Sequence, residues 1–240
     1  MSTSKLKVLG IAGSPRKNGN SEYLLEQALE EANSVYPNRV ETKLYSFKGK
    51  RFSPCIACAK CIELGGECVQ KDSFQELRDE WIKGDVIIYS VPVYHMGIPG
   101  QLKCFIDRLG MSLFARHGMI MPKYGKTIGV IAQGAHLFSG QEHAMTDIIN
   151  HALLVGCLPI SGDSWESYIG AGGWTFDEPD EDALKRHYEK GDQDAVVAVK
   201  GARSVTRRAV QFASMLKAGA RLQRKMLKNE KVLSPLWERL

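Results

Sequence analysis

The chain has little of what marks a membrane or secreted protein. Its longest apolar stretches, such as residues 127–132, fall far short of the ~20 residues that a membrane-spanning helix needs. The first residues lead through a very short apolar run into a glycine loop, without a small-residue cleavage site. Six cysteines are too few for a disulfide scaffold, although four of them lie within residues 55–68. We therefore expect a cytoplasmic protein.

Acidic residues are scarce at one end of the chain. Residues 200–240 contain eleven Lys or Arg and two Glu, whereas the first 199 residues have a small acidic excess. Basic residues recur in this region at spacings of three or four residues, which predicts one basic helix face. They are Lys217, Arg221, Arg224, Lys225, Lys228 and Lys231. Such a face suits an acidic redox partner, nucleic acid or anionic lipid. A solvated surface is favoured, because the run contains no nucleic-acid motif and no interleaved aromatic residue.

Short apolar segments alternate with amphipathic ones along most of the chain. The pattern predicts strands at residues 7–12, 40–46, 85–91 and 127–132, with a fifth near 158–163. It predicts helices over residues 21–35, 74–82, 101–109 and 141–155. This alternation implies an α/β fold with a doubly wound, five-stranded parallel sheet. Ligands of such a sheet bind at the carboxyl ends of its strands, here in the loops after strands one, three and four.

Three segments stand apart from this alternation. The cysteine-rich loop 53–72 is inserted after the second strand, and the Gly/Trp/acidic stretch 169–182 shows neither helix nor strand periodicity. The basic excess lies in a last helical region, residues 194–228, which is one long helix or two. We predict a ligand-binding domain over residues 1–215 and a basic C-terminal helix or tail over residues 216–240.

The loop after the first strand, residues 13–21, has the composition of an anion site. Because it follows a strand and opens a helix, its backbone N–H groups and the helix dipole favour an anion at one point. Donors suited to a phosphomonoester come from Ser14, Arg16, Asn18, Asn20 and Ser21. The loop lacks the G-x-G-x-x-G spacing of dinucleotide sites and the G-x-x-x-x-G-K-[ST] spacing of nucleoside triphosphate sites. An ordinary polar turn is the alternative.

The loop after the third strand belongs to a segment, residues 90–108, that reads S-V-P-V-Y-H-M-G-I-P-G-Q-L-K-C-F-I-D-R. Its start offers a flat amphipathic wall for a planar ring through Pro92, Tyr94, Met96 and Gly97, with core packing as the alternative. The segment resembles the flavin-binding segment of the NADPH-dependent FMN reductase family, S-P-x-Y followed by G-x-x-K-x-F-I-D-R. It departs from that pattern by Val91 between Ser90 and Pro92.

Loop 13–21 likewise resembles the phosphate loop of that family. The resemblance implies a flavodoxin-like fold that binds FMN. It implies ring contacts from the third-strand and fourth-strand loops, namely Pro92, Val93, Tyr94, His95, Met96, Gly97, Gly134, Ala135 and His136. His95 and His136 are equally well explained as ordinary loop donors, and we assign no catalytic residue.

Four cysteines have the spacing C-x2-C-x2-C-x6-C, namely Cys55, Cys58, Cys61 and Cys68. Four thiols in so short a loop favour one iron-sulfur cubane over the alternatives of structural zinc, empty thiols and redox-active cysteines. The motif and its insertion point resemble the iron-sulfur flavoproteins, which are relatives of the FMN reductases. That resemblance implies a [4Fe-4S] cluster that exchanges electrons with FMN. Cys104 and Cys157 are predicted to be buried apolar residues.

These features support three functional hypotheses. The first is an FMN-dependent oxidoreductase that passes electrons between a [4Fe-4S] cluster and FMN. The second is an NAD(P)H-dependent FMN or quinone reductase with structural cysteines. The third is a non-enzymatic electron carrier or redox sensor that docks through the basic C-terminal helix. We expect a redox partner such as ferredoxin, or NAD(P)H, with no nucleic acid or membrane, and the resemblance implies a homodimer or homotetramer.

Overall fold

The computed structural model describes residues 5–240, so residues 1–4 of the predicted domain lie outside it. The strands are β1 (Leu6–Ala12), β2 (Val40–Ser46), β3 (Val86–Pro92), β4 (Thr127–Gly134), β5 (Leu158–Pro159) and β6 (Ala171–Trp174). The helices are α1 (Asn20–Val35), α2 (Lys60–Glu63), α3 (Phe74–Lys83), α4 (Gly100–Arg116), α5 (Gln141–Leu154), α6 (Ala183–Lys190), α7 (Gln193–Leu227) and α8 (Ser234–Trp237). The first four predicted strands and the four predicted helices are confirmed, although α4 continues about two turns beyond its predicted end.

The sheet has the strand order β2-β1-β3-β4-β5, and all of these neighbours are parallel. Every residue of β3 and β4 is buried, as expected for a parallel sheet covered on both faces. One face packs against α3, α4 and α5, and the other packs against α1 and α7. The doubly wound α/β fold is therefore confirmed, and so is the position of the cysteine-rich loop between β2 and β3.

The fifth strand position differs from its prediction. The predicted strand 158–163 is reduced to β5, which pairs only with the start of β4. The end of β4 pairs with β6, which lies inside the stretch predicted to be irregular. The glycines of β6 give a weak strand signal. Glycine is favoured at residue 173, because a Cβ there would lie 3.1 Å from the Cβ of Ala198 in α7, closer than ordinary van der Waals contact.

The basic C-terminal region forms one continuous helix, α7, which runs across the predicted boundary between residues 215 and 216. It begins near the carboxyl edge of the sheet, where Ala198 contacts β6, and reaches the amino edge at Lys217. Lys217 is buried and donates to Asp85 Oδ1 at 2.9 Å, so it does not lie on the predicted solvated basic face. Beyond the sheet every residue from 221 to 230 is exposed. Within residues 5–240 no helix is long and apolar enough to span a membrane.

Candidate functional site

Three loops meet at the carboxyl edge of the sheet because their strands are neighbours in register. Ala12, at the end of β1, pairs with Ser90 of β3, and Pro92 of β3 pairs with Gln133 of β4. The loops that begin at residues 13, 93 and 135 therefore start side by side. This arrangement brings the predicted phosphate loop and the two predicted ring-binding loops to one edge, where doubly wound sheets bind ligands.

The phosphate loop, residues 13–21, joins β1 to α1, whose N-terminus has no side-chain cap among the described residues. Gly19 is the N-cap of α1 in extended conformation, and none of the described side chains caps this helix end. Ser14 and Ser21 are buried beside it, and Asn18 adopts a left-handed conformation with φ 54°. The Ser14 Oγ accepts the Arg16 backbone N–H at 3.2 Å, which leaves its hydroxyl proton available. The first-turn amides of α1 are thus open to an anion at this edge.

Two predicted phosphate contacts are engaged by a distant segment. Arg16 Nη1 donates to the carbonyl of Pro179 at 3.1 Å. Asn20 Nδ2 donates to the carbonyl of Asp180 at 2.9 Å, and its Oδ1 accepts the backbone N–H of Leu184 at 2.8 Å. Each end of the Asn20 amide therefore has one protein partner, and the second Nδ2 proton remains available to a cofactor. The two side chains connect the phosphate loop to the acidic segment before α6.

That acidic segment is held together by a histidine between two carboxylates. His187 lies 2.9 Å from Glu178 Oε1 through Nε2, contacts Asp192 through Nδ1, and stacks on Phe176 with ring centroids 3.9 Å apart. Arg186 also pairs with Glu178, at 2.6 Å. Hydrogen bonds to Asp192 and Glu178 raise the pKa of His187 above its ordinary value. The protonated imidazole is consequently the form that holds this segment together.

A raised histidine pKa stabilises the folded segment at low pH and ceases to do so as the pH passes the raised value. We therefore expect hydrogen exchange across residues 178–192, corrected for its intrinsic pH dependence, to accelerate as the pH rises above the ordinary value of about 6.5. His187→Asn should remove this acceleration, whereas His143→Asn, a change at an exposed histidine, should leave it intact. Equal pH profiles for His187→Asn and the unaltered protein would contradict the role given to His187.

The first ring-binding loop contains a strained tight turn. Tyr94 and Gly97 exchange two backbone hydrogen bonds, at 2.9 and 3.1 Å. Between them His95 and Met96 both have positive φ, 47° and 69°, which is the geometry of a type I′ turn. Such angles disfavour side chains larger than hydrogen, and strain of this kind concentrates at functional sites. The turn leaves Tyr94, His95 and Met96 exposed, while Pro92 is buried at the strand end.

The second ring-binding loop packs directly on this turn. Gly140 has φ 102°, and a Cβ at this position would lie 2.5 Å from the Met96 carbonyl oxygen. The carbonyl of His136 accepts hydrogen bonds from Ser139 Oγ and Gln141 Nε2, both at 2.8 Å, while its side chain is exposed. The carbonyls of Gly134 and Ala135 accept backbone N–H groups of the segment after β6. Glycine is therefore needed at residue 140, a position that sequence reasoning did not select.

The four cysteines of the inserted loop surround one cavity of about 160 Å³. Cys55 and Cys58 are exposed, and Cys61 and Cys68 are half-buried. Between them Ala57 and Ala59 adopt left-handed φ angles, so the backbone curls around the cavity. Within residues 5–240 no three His, Cys, Asp or Glu side chains converge as ligands of one metal ion. The structure thus brings the four predicted cysteine ligands together as the lining of one cavity.

Arg108, on α4, forms the inner wall of this cavity. Its Nη1 pairs with both carboxylate oxygens of Asp72, at 2.9 and 2.7 Å, and its Nη2 donates to the Gln70 carbonyl at 2.9 Å. The same Nη2 lies 3.4 Å from Cys68 Sγ. Burial would raise the pKa of Asp72, but hydrogen bonds from the Ser53 N–H and from Arg108 lower it. This buried ion pair fastens the cysteine loop to the sheet domain.

Sequence reasoning did not find Arg108 or Asp72, although Arg108 ends the F-I-D-R motif. It also missed a cleft of about 740 Å³ that lies beside the ring-binding loops, between α5, β6 and the start of α7. The cleft is mostly apolar, with walls that include Met96, Phe138, Trp165, Tyr168 and Trp174. Cys157 is buried as predicted, whereas Cys104 is only half-buried. Neither of these two cysteines lines the 160 Å³ cavity.

The strand order and the three loops at the carboxyl edge define a flavodoxin-like protein. Solved structures agree: RosB with a bound 8-demethyl-8-formylriboflavin-5′-phosphate intermediate has a TM-score of 0.63 and 16% identity, covering 92% of this chain and 87% of that chain. The WrbA-like flavodoxin from Agrobacterium tumefaciens has a TM-score of 0.55 and 16% identity, covering 88% and 99%.

The chain belongs to the NADPH-dependent FMN reductase family, whose sequence model matches residues 6–166. Among its relatives, an iron-sulfur flavoprotein of Archaeoglobus fulgidus is 34% identical over 170 residues, which cover 71% of this chain and 83% of that protein. An iron-sulfur flavoprotein of Methanocaldococcus jannaschii is 30% identical over 186 residues, covering 75% and 90%. Both resemblances proposed from the sequence are confirmed, and the protein is a member of a flavin oxidoreductase family.

Proposed function

We propose that this protein is an FMN-dependent oxidoreductase in which Cys55, Cys58, Cys61 and Cys68 hold a [4Fe-4S] cluster that exchanges electrons with FMN. The observation that carries the proposal is the single cavity that all four thiols line. When bound, the cluster supplies one-electron transfers that the flavin joins to two-electron chemistry. The similarity to proteins described as iron-sulfur flavoproteins supports the same assignment.

The donor set fits a cluster better than a single zinc ion. Zinc needs four thiolates at about 2.3 Å from one centre. A cubane instead takes each thiolate at a separate iron, so its ligands surround a volume. The thiols here surround a volume and do not converge on one point within the described chain. Arg108 Nη2, at 3.4 Å from Cys68 Sγ, adds a charged N–H of the kind that tunes cluster potentials.

FMN would be held by the three loops at the carboxyl edge. The open start of α1 and the hydroxyls of Ser14 and Ser21 suit its phosphate. The exposed turn at Tyr94 to Gly97 and the adjoining loop at His136 offer backbone and aromatic surface to its ring. These side chains would bind and orient the flavin, and no residue is assigned a proton-transfer role.

The two proposed cofactors occupy different loops, so single substitutions should remove them separately. Cys58→Ala should abolish bound iron and leave FMN affinity unchanged, while Cys104→Ala, a change outside the cavity, should retain both. Ser14→Asp keeps an acceptor for the Arg16 N–H but sets a carboxylate against the phosphate. It should weaken FMN binding about 100-fold, or about 2.7 kcal/mol, without affecting riboflavin or iron. Loss of both cofactors in either variant, or loss of neither, would contradict the assignment.

A second candidate function is an NAD(P)H-dependent FMN or quinone reductase with structural cysteines. The description of the matching family as NADPH-dependent FMN reductases favours it. Anaerobic stopped-flow reduction separates the two candidates. Rapid flavin bleaching by NADPH supports the reductase, whereas reduction only by dithionite or reduced ferredoxin supports the cluster-flavin protein.

The proposed electron donor is therefore a redox protein such as ferredoxin, or NAD(P)H, and we propose no nucleic-acid or membrane partner. We propose a homodimer or homotetramer as the working assembly. The third hypothesis, a carrier that docks through its basic helix, has less support. The exposed basic end of α7 lies beyond the amino edge of the sheet, at the opposite end of the strands from the flavin loops of the same chain.

A further inference from the structure

The C-terminal end of α7 exposes an apolar stripe. Phe212, Met215, Leu222 and Met226 are all exposed, Leu222 and Met226 to 84% and 79%. Spacings of three, seven and four residues place them on one side of the helix. That side is not the one that packs on the sheet, which is marked by buried Lys217. An apolar surface of this extent on a soluble helix marks an interaction site.

A second unpartnered surface is the 740 Å³ cleft at the other end of the same helix. Phe138 and Trp165 in its walls are 84% and 91% exposed. Carboxylates line it at Glu142, Glu166 and Asp194, and no Lys or Arg among the described residues lines it. The cleft therefore suits an apolar group that carries positive charge.

The cleft and the stripe lie on the same side of α7. Asp194 and Val197, which line the cleft, precede Phe212 and Met215 by eighteen residues, or five turns at 3.6 residues each. Val197 and Leu222 are separated by about 37 Å at 1.5 Å per residue. The start of this side thus lines the acidic apolar cleft and its end presents the apolar stripe, while Gly201 and Ser204 between them are covered by residues 162–167.

The charges of the two surfaces are complementary. The exposed residues 221–228, at the end of α7 and its C-cap, have only basic charged side chains, at Arg221, Arg224, Lys225 and Lys228. Its apolar stripe and basic flanks match the apolar walls and acidic rim of the cleft. Within one chain the two surfaces lie at opposite ends of a rigid helix and cannot meet. A second copy of this chain with its α7 antiparallel places its basic end at the cleft of the first copy and its cleft at the basic end of the first copy.

We propose that two copies of this protein pair through α7, with the helices antiparallel about a twofold axis, so that the basic end of each helix enters the acidic cleft of the other. Such a contact is isologous, because both copies use the same surface. A single twofold rotation therefore buries the apolar stripe and the cleft of both copies. With Leu222 opposite Val197 the axis passes near Arg208, whose charge is already paired with Asp163. Because Met96 and Phe138 line the cleft, each α7 end would also cover the ring-binding loops of the other copy.

The inference does not depend on which cofactor is bound. Leu222→Asp/Met226→Asp alters only exposed side chains, so folding should be preserved. By sedimentation equilibrium we expect the dimer dissociation constant to rise at least about 100-fold in this variant. Asn38→Asp/Asn150→Asp, which adds the same charge at exposed positions outside α7 and the cleft, should remain dimeric.

Charge reversal tests the proposed pairing directly. Glu166→Lys/Asp194→Lys reverses the cleft rim, and Lys225→Glu/Lys228→Glu reverses the helix end. Each variant alone should be monomeric, and an equimolar mixture should dimerise again, because every mixed dimer restores opposite charge at both contacts. A monomeric unaltered protein overturns the inference, as does an assembly that these variants do not change. So does saturable binding of methyl viologen, a cationic aromatic probe, to a cleft that stays open in the unaltered protein.

Discussion

Arg108→Leu is expected to lower the free energy of unfolding by about 3–5 kcal/mol, the cost of leaving one member of a buried ion pair without its partner. The side chains of Arg108 and Asp72 are only 1% and 6% exposed. Removing the guanidinium leaves the Asp72 carboxylate buried with backbone donors alone. It also removes the hydrogen bonds to the Ser53 and Gln70 carbonyls. The four-cysteine loop should therefore detach from α4.

Urea denaturation of the metal-free protein measures this effect without reference to any cluster. The double variant Arg108→Leu/Asp72→Leu removes both charges and should recover part of the loss, since a buried pair can be replaced by apolar groups at little cost. A loss below about 1 kcal/mol for Arg108→Leu, as found for surface ion pairs, would contradict the anchoring role. Protease cleavage within residues 53–72 should accelerate in the single variant, which locates the change in the cysteine loop.

Asp85→Leu is expected to have an effect of similar size at the opposite edge of the sheet. Asp85 accepts the Lys7 backbone N–H at 3.1 Å, pairs with Lys217 at 2.9 Å, and lies 3.7 Å from Arg239 Nε. It is the carboxylate shared by two buried cations, from α7 and from the C terminus. Its removal leaves both cations unpaired, for which we expect a loss of about 3–5 kcal/mol and a fall in Tm of roughly 6–20 °C.

The matched control is Glu80→Leu, which removes an ion pair that Glu80 makes with the half-exposed Lys43 at 3.0 Å. It should cost less than about 1 kcal/mol. Asp85→Leu/Lys217→Met removes one of the stranded cations and should be more stable than Asp85→Leu. Equal losses for Asp85→Leu and Glu80→Leu would show that the carboxylate does not hold α7 to the sheet.

The hydrophobic pattern of the sequence predicted the strands and helices whose formation depends on their own residues. The apolar runs of β3 and β4 are buried at every residue, as continuous hydrophobic strands in parallel sheets are. β6 was missed because Ala171–Trp174 is strand only through its pairing with β4 and its close contact with α7. Glycine-rich sequence carries no such signal by itself.

The candidate site shows the same division. The spacing of the four cysteines is a local feature, and the structure brings them around one cavity. The partners of Arg108 and Lys217 lie 36 and 132 residues away along the chain, so the roles of these two cations depended on the tertiary fold. Lys217 was interpreted as part of a solvated face because its periodicity matched that of its exposed neighbours. The Asn20 side chain, predicted as a cofactor contact, also hydrogen-bonds a segment about 160 residues away, which no local pattern indicates.

The most direct test of the cluster-flavin assignment is a cofactor analysis of protein purified without oxygen. We predict about four iron and about four sulfide ions and one FMN per chain. The visible spectrum should combine flavin bands with broad charge-transfer absorption that dithionite bleaches. Cys58→Ala should lose the broad absorption and keep the flavin bands. Protein that contains zinc, or FMN without iron and sulfide, would contradict the assignment.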